Sequence, residues 1–381
     1  MNSYNLRKLN LFSVACFLFA GISSSSAATQ TIGSDGTAET LPMAATGIDS
    51  VEKVGSNTVN LTGANTYSGE TIVKEGELNV AATGSISHGG SSMTVGDEDG
   101  SNGTLSIETG GTVSNGTGYL GLEVGSMGTG NIVGTWTNTA GLFVGNSGTG
   151  TLNVLLGGTV SNTTGYLGNT GDATGVASIS GTWTNTAELF VGNSGTGTLN
   201  ILSSGKVSNT TGYLGNTAGS SGVATIEGLW TNFNDLFVGN FGTGELNIEA
   251  GGKVTNRFGS IGEQVGSTGA VTVDGTWINT QDLFVGKSGS GTLNIQSGGA
   301  VSTSDGITGF AEDKFNLDFA DFENAFDGTW SLFTDGNTLN AQYLTAVPEP
   351  STIALIGVCA LGLLFMRRRS KAKSSVPSKA T

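Results

Sequence analysis

The chain has 381 residues, of which 64 are glycine, 4 are proline and 12% are charged. The formal net charge is −15; without the basic and acidic residues of the two terminal segments, 7 basic residues face 29 acidic ones, a balance of −22. Nucleic acid and anionic lipid are poor partners for such a surface, which suits divalent cations or neutral glycans better. Cys16 and Cys359 both lie in the terminal segments, so the body can form no disulfide and no thiolate metal site.

The N-terminus has the order of a secretory signal peptide. Arg7 and Lys8 precede an apolar stretch at residues 11–22, and the small residues SSSSAA follow. We predict a signal helix within residues 1–28 and cleavage by signal peptidase after Ala27 or Ala28. An uncleaved anchor helix is the alternative. Residues 29–55 then form an N-terminal cap or linker.

The next segment carries a family resemblance. Residues 60–80 read NLTGANTYSGETIVKEGELNV, which resembles the autotransporter-associated β-strand repeat. The match is carried by Leu61, Tyr67, Ile72, Val73, Gly76 and Leu78. The resemblance implies a right-handed parallel β-helix of the pectin lyase-like kind. The sequence offers no recognisable translocator barrel, so we expect a passenger-like body without autotransport.

An internal repeat of 47 residues fills the body. It is marked by Trp136, Trp183, Trp230 and Trp277, and the motif LFVGNSGTGTLN at residue 142 returns with the same period. Each unit divides into two halves that end in asparagine at alternating spacings of 23 and 24 residues. These asparagines are Asn115, Asn138, Asn162, Asn185, Asn209, Asn232, Asn256 and Asn279.

The half-unit predicts an all-β solenoid. Leu199 and Ile201 alternate with polar neighbours, as a strand requires, and helical periodicity is absent. One half-unit fits one coil of a parallel β-solenoid, in which equivalent residues stack about 4.8 Å apart. A propeller blade is the rival, but four meandering strands do not explain the half-repeat. We therefore predict roughly ten coils over residues 56–301, two for each unit.

The repeated residues suggest structural roles. Asparagines can stack in amide ladders and adopt left-handed turns at coil corners, where glycine supplies positive φ. Trp183 aligns with Val207 of the next coil. We therefore expect the tryptophans in the core, with an exposed row that stacks on glycans as the alternative.

The C-terminal third changes character. Residues 302–346 form a candidate C-terminal cap and a spacer, the spacer at 335–347. The cap contains the acidic, Phe-rich stretch FAEDKFNLDFADFENAF, for which a partner-docking or membrane-proximal role is the alternative. The predicted sorting residues follow: Val347, Pro348, Glu349, Pro350, Arg367, Arg368 and Arg369. A short apolar helix candidate at 353–366 lies between Pro350 and Arg367. A helix of that length spans roughly 21–24 Å, short against a ~30 Å hydrocarbon core, and the arginines should stay cytoplasmic.

Residues 347–370 resemble the PEP-CTERM sorting signal, with residues 371–381 as a cytoplasmic tail that is longer than usual. The resemblance implies an exosortase-type membrane protease as a transient partner and cleavage near Pro348–Pro350. It also implies export by a Gram-negative bacterium that makes exopolysaccharide. We expect an inner-membrane intermediate held by the C-terminal transmembrane helix, then a cell-surface or extracellular protein.

Residues that could carry chemistry are few. His88 is the sole histidine of the sequence and is expected in a solvated loop, so histidine metal clusters are excluded. Asp97 and Asp99, in the acidic turn GDEDG, are weak calcium candidates, although a solvated turn is the favoured interpretation. The sequence predicts no catalytic residue and no cofactor.

These observations favour a structural or adhesive protein of the cell surface or biofilm matrix, and not an enzyme. Its partner would be exopolysaccharide or a neighbouring cell, held by many weak contacts. Two alternatives remain: a carbohydrate-active β-helix enzyme that acts on exopolysaccharide, and a calcium-dependent matrix-binding protein.

Overall fold

The structure, a computed structural model, describes residues 29–34, 39–41, 50–296 and 298–303, and the backbone of residues 329–335 and 338–344. All regular elements in these ranges are β-strands. No helix among the described residues could cross a membrane. The predicted signal helix and C-terminal transmembrane helix lie outside these ranges.

Three long sheets, here named A, B and C, contain the strands. Sheet A consists of β1 (Thr29–Ile32), β3 (Ser50–Lys53), β6 (Thr71–Val73), β9 (Met93–Val95), β12 (Gly118–Leu120), β15 (Leu142–Val144), β18 (Gly165–Leu167), β21 (Leu189–Val191), β24 (Gly212–Leu214), β27 (Leu236–Val238), β30 (Gly259–Ile261) and β33 (Leu283–Val285). Sheet B consists of β2 (Glu39–Leu41), β4 (Thr58–Leu61), β7 (Glu75–Val80), β10 (Asn102–Ile107), β13 (Met127–Ile132), β16 (Thr149–Val154), β19 (Thr174–Ile179), β22 (Thr196–Ile201), β25 (Ser221–Ile226), β28 (Thr243–Ile248), β31 (Thr268–Val273) and β34 (Ser290–Ile295).

Sheet C consists of β5 (Ala64–Asn65), β8 (Ser85–Ser87), β11 (Thr112–Asn115), β14 (Thr135–Asn138), β17 (Thr159–Asn162), β20 (Thr182–Asn185), β23 (Lys206–Asn209), β26 (Leu229–Asn232), β29 (Lys253–Asn256), β32 (Thr276–Asn279) and β35 (Ala300–Thr303), followed by β37 (Thr338–Leu344) and β36 (Thr329–Asp335).

The chain visits the three sheets in turn and winds into a parallel solenoid. Each strand from β1 to β32 pairs in parallel with the strand one coil further along, in constant register: Trp183, for example, lies between Val160 and Val207. The eleven parallel strands of sheet C in the described part of the chain correspond to about eleven coils. The predicted all-β solenoid is therefore confirmed. Within residues 29–55, β1, β2 and β3 already belong to sheets A and B.

Side chains alternate between a buried interior and the surface. In β22, Leu199 and Ile201 are fully buried, whereas Thr198 and Asn200 are half-exposed. Glycine makes the corner after sheet A: Gly168 has a φ of 66°, and a Cβ there would collide with the carbonyl oxygen of Thr196. No other residue type among the described residues adopts positive φ, so the left-handed turns expected of asparagine were wrong.

Two kinds of coil alternate, and packing volume explains why. Trp183 shares its coil with the small inward residues Gly165 and Ala177. A Cβ on Gly165 would collide with Asn185 Oδ1 and would lie 2.9 Å from Trp183 Cζ2, so the amide and the indole together fill the space that a larger residue would need. The next coil carries Leu and Val at the same three slots. Because interiors are close-packed, bulk at one slot requires small residues at the others. The tryptophans are fully buried, as expected for the core.

The inward asparagines form pairs and not the continuous amide ladder expected from the sequence. Asn162 Nδ2 donates to Asn185 Oδ1 at 2.6 Å, and Trp183 Nε1 donates to Asn162 Oδ1 at 2.7 Å. The same three-residue group recurs at the other tryptophans. The indole takes the acceptor that a continuous ladder would use. The 47-residue unit is thus a physical unit of two coils.

Beyond the last coil, sheet C continues in the opposite direction. β37 pairs antiparallel with β35, and β36 pairs antiparallel with β37. The expected spacer at residues 335–347 therefore contains a strand. The Phe-rich candidate cap at residues 304–328 lies outside the described residues.

Candidate functional site

The predicted processing residues lie outside the described residues at both ends. They are Ala27 and Ala28 at the signal cleavage site, and Val347, Pro348, Glu349, Pro350, Arg367, Arg368 and Arg369 in the sorting segment. Their roles stay predictions. The solenoid itself must provide any other site that the structure can place.

A lysine occupies the centre of the acidic turn that was a weak calcium candidate. Lys74 Nζ lies 2.7 Å from Glu52, 3.1 Å from Glu98 and 3.6 Å from Asp97. Burial raises the pKa of Asp97 despite the nearby ammonium. Asp99 is exposed, and its carboxylate lies over Gly125. Within the described ranges, no group of three or more His, Cys, Asp or Glu residues is placed to hold a metal.

His88 is an interior residue, and the expectation of a solvated loop was wrong. Its side chain is 2% exposed, and Nε2 lies 3.1 Å from Thr71 Oγ1, which also hydrogen-bonds the hydroxyl of Tyr67. Burial lowers the pKa of His88 to about 4 and raises that of Tyr67 to about 12. The histidine is therefore neutral near pH 7. With its neighbours, it supplies a polar centre to the first coils.

The outer face of sheet A carries an uninterrupted stack of aromatic rings. Within the described residues the stack runs through Tyr119, Phe143, Tyr166, Phe190, Tyr213 and Phe237. Neighbouring ring centroids are 4.5–5.1 Å apart, with interplanar angles of 2–15°. All six side chains are half-buried. Each ring covers the faces of its neighbours, so the stack presents ring edges and tyrosine hydroxyls to the outside.

Carboxylates border this stack at the corner between sheets C and A. Glu188, Asp235 and Asp282 recur every 47 residues and are half-exposed. Burial, and next to it the charge of Glu188, raises the pKa of Tyr166. Burial also raises the pKa of Tyr213, and the charges of Glu188 and Asp235 add to this rise. The carboxylates thus lie close enough to the phenols to contribute to the rise of their pKa.

An outer row of asparagines borders the other side of the stack. Asn169 Nδ2 donates to Asn146 Oδ1 at 3.0 Å, and the chain of bonds continues through Asn193, Asn216 and Asn240 at 2.8–2.9 Å. Unlike the inner row, this ladder is continuous over five coils, because no indole competes for its acceptors.

Both outer rows end at the same coil. Ser260 stands where the next ring would be, and Glu263 replaces the next asparagine. Glu263 is buried and pairs with Lys287, Nζ to Oε1 at 2.7 Å. Lys287 in turn lies over the ring of Phe284. A carboxylate has no proton to donate, so the amide ladder cannot pass this point.

The arrangement can form hydrogen bonds to a long, hydroxyl-rich partner. This face was not predicted, because residues such as Leu142–Val144 and Gly165–Leu167 have the pattern of short apolar strands. A signal was present in the sequence: tyrosine or phenylalanine recurs at the outward position of the six successive sheet A strands from β12 to β27, where burial does not require it.

Comparisons with known proteins agree with the two resemblances seen in the sequence. Residues 51–80 match the Passenger-associated-transport-repeat family, and residues 346–369 match the PEP-CTERM protein-sorting motif. The chain matches none of the curated proteins. Among solved structures it is similar to the crystal structure of a TibC-catalysed hyper-glycosylated TibA fragment, at 20% identity and a TM-score of 0.32, over 74% of this chain and 96% of that chain.

The solenoid, together with the repeat matched at residues 51–80, makes the body similar to autotransporter passengers. With its sorting motif, the chain is a passenger-like PEP-CTERM protein, secreted to the cell surface of a Gram-negative bacterium.

Proposed function

We propose that this exported surface protein is a non-enzymatic structural or adhesive rod of the cell surface or extracellular matrix. It holds exopolysaccharide, or a neighbouring cell that carries it, through many weak contacts along its length. The observation that carries the proposal is the unbroken run of ordered outward rows on sheet A. A rod that repeats the same groups on successive coils suits a repeating polymer and gains strength through multivalency.

The outer surface of sheet B supports the same function. The outward positions of sheet B are mostly Thr, Ser and Asn, as in Thr196, Thr198 and Asn200 of β22. These small polar groups can exchange hydrogen bonds with hydroxyls and carry no charge. A partner rich in hydroxyl groups can therefore approach the rod from more than one side.

The sorting segment suggests how the rod reaches its place. The PEP-CTERM motif implies exosortase-type processing and membrane anchoring. We assign the recognition to Pro348, Glu349 and Pro350, the membrane stop to the arginines at 367–369, and the earlier N-terminal cleavage to signal peptidase after Ala27 or Ala28. The inner membrane would hold the intermediate until cleavage.

Two measurements on producing cells test this function. Tagged full chain should sediment with purified matrix, and mass spectrometry of the surface form should find a C-terminus that lacks Arg367–Arg369. Substitution of Pro348, Glu349 and Pro350 by alanine should leave the chain in the membrane fraction. A surface form that keeps the arginines would refute the sorting proposal, and absence from the matrix would refute the structural one.

The enzyme alternative has its own test. The full chain is incubated with matrix polysaccharide, and new reducing or unsaturated ends are counted. Structural function predicts no increase above buffer. Turnover that disappears on changing one acidic residue would replace the structural interpretation by a catalytic one.

A further inference from the structure

We propose that the outer face of sheet A binds a linear, neutral glycan that runs along the solenoid axis, one repeating unit for every two coils. The face consists of the aromatic stack from Tyr119 to Phe237, with the carboxylates at 188 and 235 on one side and the outer asparagine ladder on the other. This inference rests on the proposed function and names its binding face and ligand class.

The polar groups of this face recur at twice the coil spacing. Hydroxyls are present on Tyr119, Tyr166 and Tyr213, whereas the rings between them are phenylalanines. Glu188 and Asp235 recur with the same 47-residue period in the phenylalanine coils. With strands about 4.8 Å apart, each kind of group repeats about every 9.6 Å. An extended glycan advances by about one sugar per coil, so a two-sugar repeat meets a phenol at each period. It meets a carboxylate at the second and third periods, since Gly141 takes that position in the first.

The groups on this face are available to a ligand. No hydrogen bond within the described part of the chain uses the hydroxyls of the three tyrosines, and Glu188 takes part in no ion pair there. A phenol can donate or accept, and a carboxylate accepts. Sugar hydroxyls can do both, so they can bridge the two rows. The raised pKa of Tyr166 and Tyr213 keeps their protons in place.

Charge decides between neutral and acidic glycans. The carboxylates of this face have one cation near them, Arg257, whose Nη2 lies 3.5 Å from Asp235 Oδ1 at the C-terminal limit of the stack. The surrounding body is strongly acidic. A uronate or sulfate polymer would place like charges beside Glu188 and Asp235, which costs free energy at both positions. A neutral glycan avoids this cost.

Area argues against a second copy of the chain as the occupant. From Tyr119 to Phe237 the face covers six coils, and a strand of three residues is about 10 Å long, so its area is on the order of 300 Å². A stable protein interface buries about 800 Å² on each partner. Two such faces would also bring their carboxylate rows together. A single neutral glycan chain needs only a narrow strip of surface and brings no second row of carboxylates.

The stack also predicts the mode of contact. Because each ring face is covered by the next ring, a sugar cannot lie flat on an aromatic platform, except at the two ends. Recognition must therefore use the phenol hydroxyls and carboxylates, with the ring edges as an apolar strip between them. Removing the hydroxyls while keeping the rings should weaken binding without disturbing the stack.

Affinity electrophoresis of the full chain in mild detergent tests the proposal, with hydroxyethyl cellulose, galactomannan or alginate cast in the gel. We expect at least one neutral polymer to retard the chain and alginate to leave its mobility unchanged. The triple variant Tyr119→Phe, Tyr166→Phe, Tyr213→Phe should show a dissociation constant at least tenfold higher. A second variant, Glu188→Gln with Asp235→Asn, should bind more weakly to the neutral polymer.

The matched control removes three hydroxyls with the same period from the outer face of sheet C: Thr137→Val, Thr184→Val, Thr231→Val. It should bind like the original chain. No retardation by either neutral polymer, stronger retardation by alginate, or equal binding by the tyrosine variant would overturn the proposal. If the tyrosine variant still sediments with native matrix, the proposed function stands and this face is the wrong one. If the original chain does not sediment, the proposed function itself fails.

Discussion

The interior and the exterior of the solenoid repeat with the same period of 47 residues, but for different reasons. Inside, Trp183 alternates with Val207, and the small residues Gly165 and Ala177 compensate its volume. Outside, tyrosine alternates with phenylalanine in a stack whose spacing hardly changes between them. The interior alternation follows from close packing. The exterior alternation adds a hydroxyl to every second ring and changes no packing, which points to recognition.

The two asparagine rows show the same contrast. The inner row is divided into pairs by the indole nitrogens, whereas the outer row forms a continuous ladder. The same side chain therefore forms pairs within a two-coil unit in the interior, and a ladder that links every coil on the outside. Local competition for acceptors, more than residue type, determines which arrangement forms.

The largest expected effect is on the interior. Trp183→Ala should lower the free energy of unfolding by about 3–5 kcal/mol, because it leaves a cavity and an unpaired Asn162 acceptor. Trp183→Val combined with Gly165→Leu and Ala177→Leu converts the coil to the other type and should recover most of the loss. Thermal or urea unfolding of the full chain measures both. If the triple variant lost as much stability as its three single substitutions together, the volumes of these three positions would not compensate one another.

The buried histidine provides the next effect. Since its pKa falls to about 4 from an unfolded value near 6.5, the native state binds the proton less tightly than the unfolded chain. The contribution of neutral His88 to the free energy of unfolding is complete above pH 6.5. It is lost as the pH falls toward 4, and the loss is roughly 3 kcal/mol at most. The stability of His88→Gln, measured against the original chain from pH 7 to 4, should lack this part of the decline. If the two chains lost stability in parallel between pH 7 and 4, the burial of His88 in the interior would be contradicted.

The asparagine rows differ in their expected cost. Asn162→Ala should destabilise by about 1–3 kcal/mol, because Trp183 Nε1 and Asn185 Oδ1 lose their partner in the core. Asn169→Ala, on the half-exposed ladder, should cost about 0.5–1.5 kcal/mol, since water can replace its bonds. Chemical denaturation of the two single variants compares them directly. Equal losses would remove the distinction between the rows.

The sequence predicted the coil, the buried tryptophans and the corner glycines because each follows from a strict period. It could not predict the pairing of the inner asparagines, since the choice of acceptor depends on where the indole nitrogen lies. His88 was misplaced because a histidine followed by two glycines has the composition of an exposed loop. The aromatic face went unnoticed because a strand pattern does not distinguish an outward ring from an inward one until the register is known.

The smallest structural effect provides the most direct test. The triple variant Tyr119→Phe, Tyr166→Phe, Tyr213→Phe should unfold within about 0.5 kcal/mol of the original chain, as expected for surface changes that keep the packing. The measurement is its unfolding free energy together with the fraction that sediments with matrix from the producing cells. We predict unchanged stability and a clear loss from the matrix. A less stable variant that remains fully in the matrix would show that the exterior alternation serves folding and not recognition.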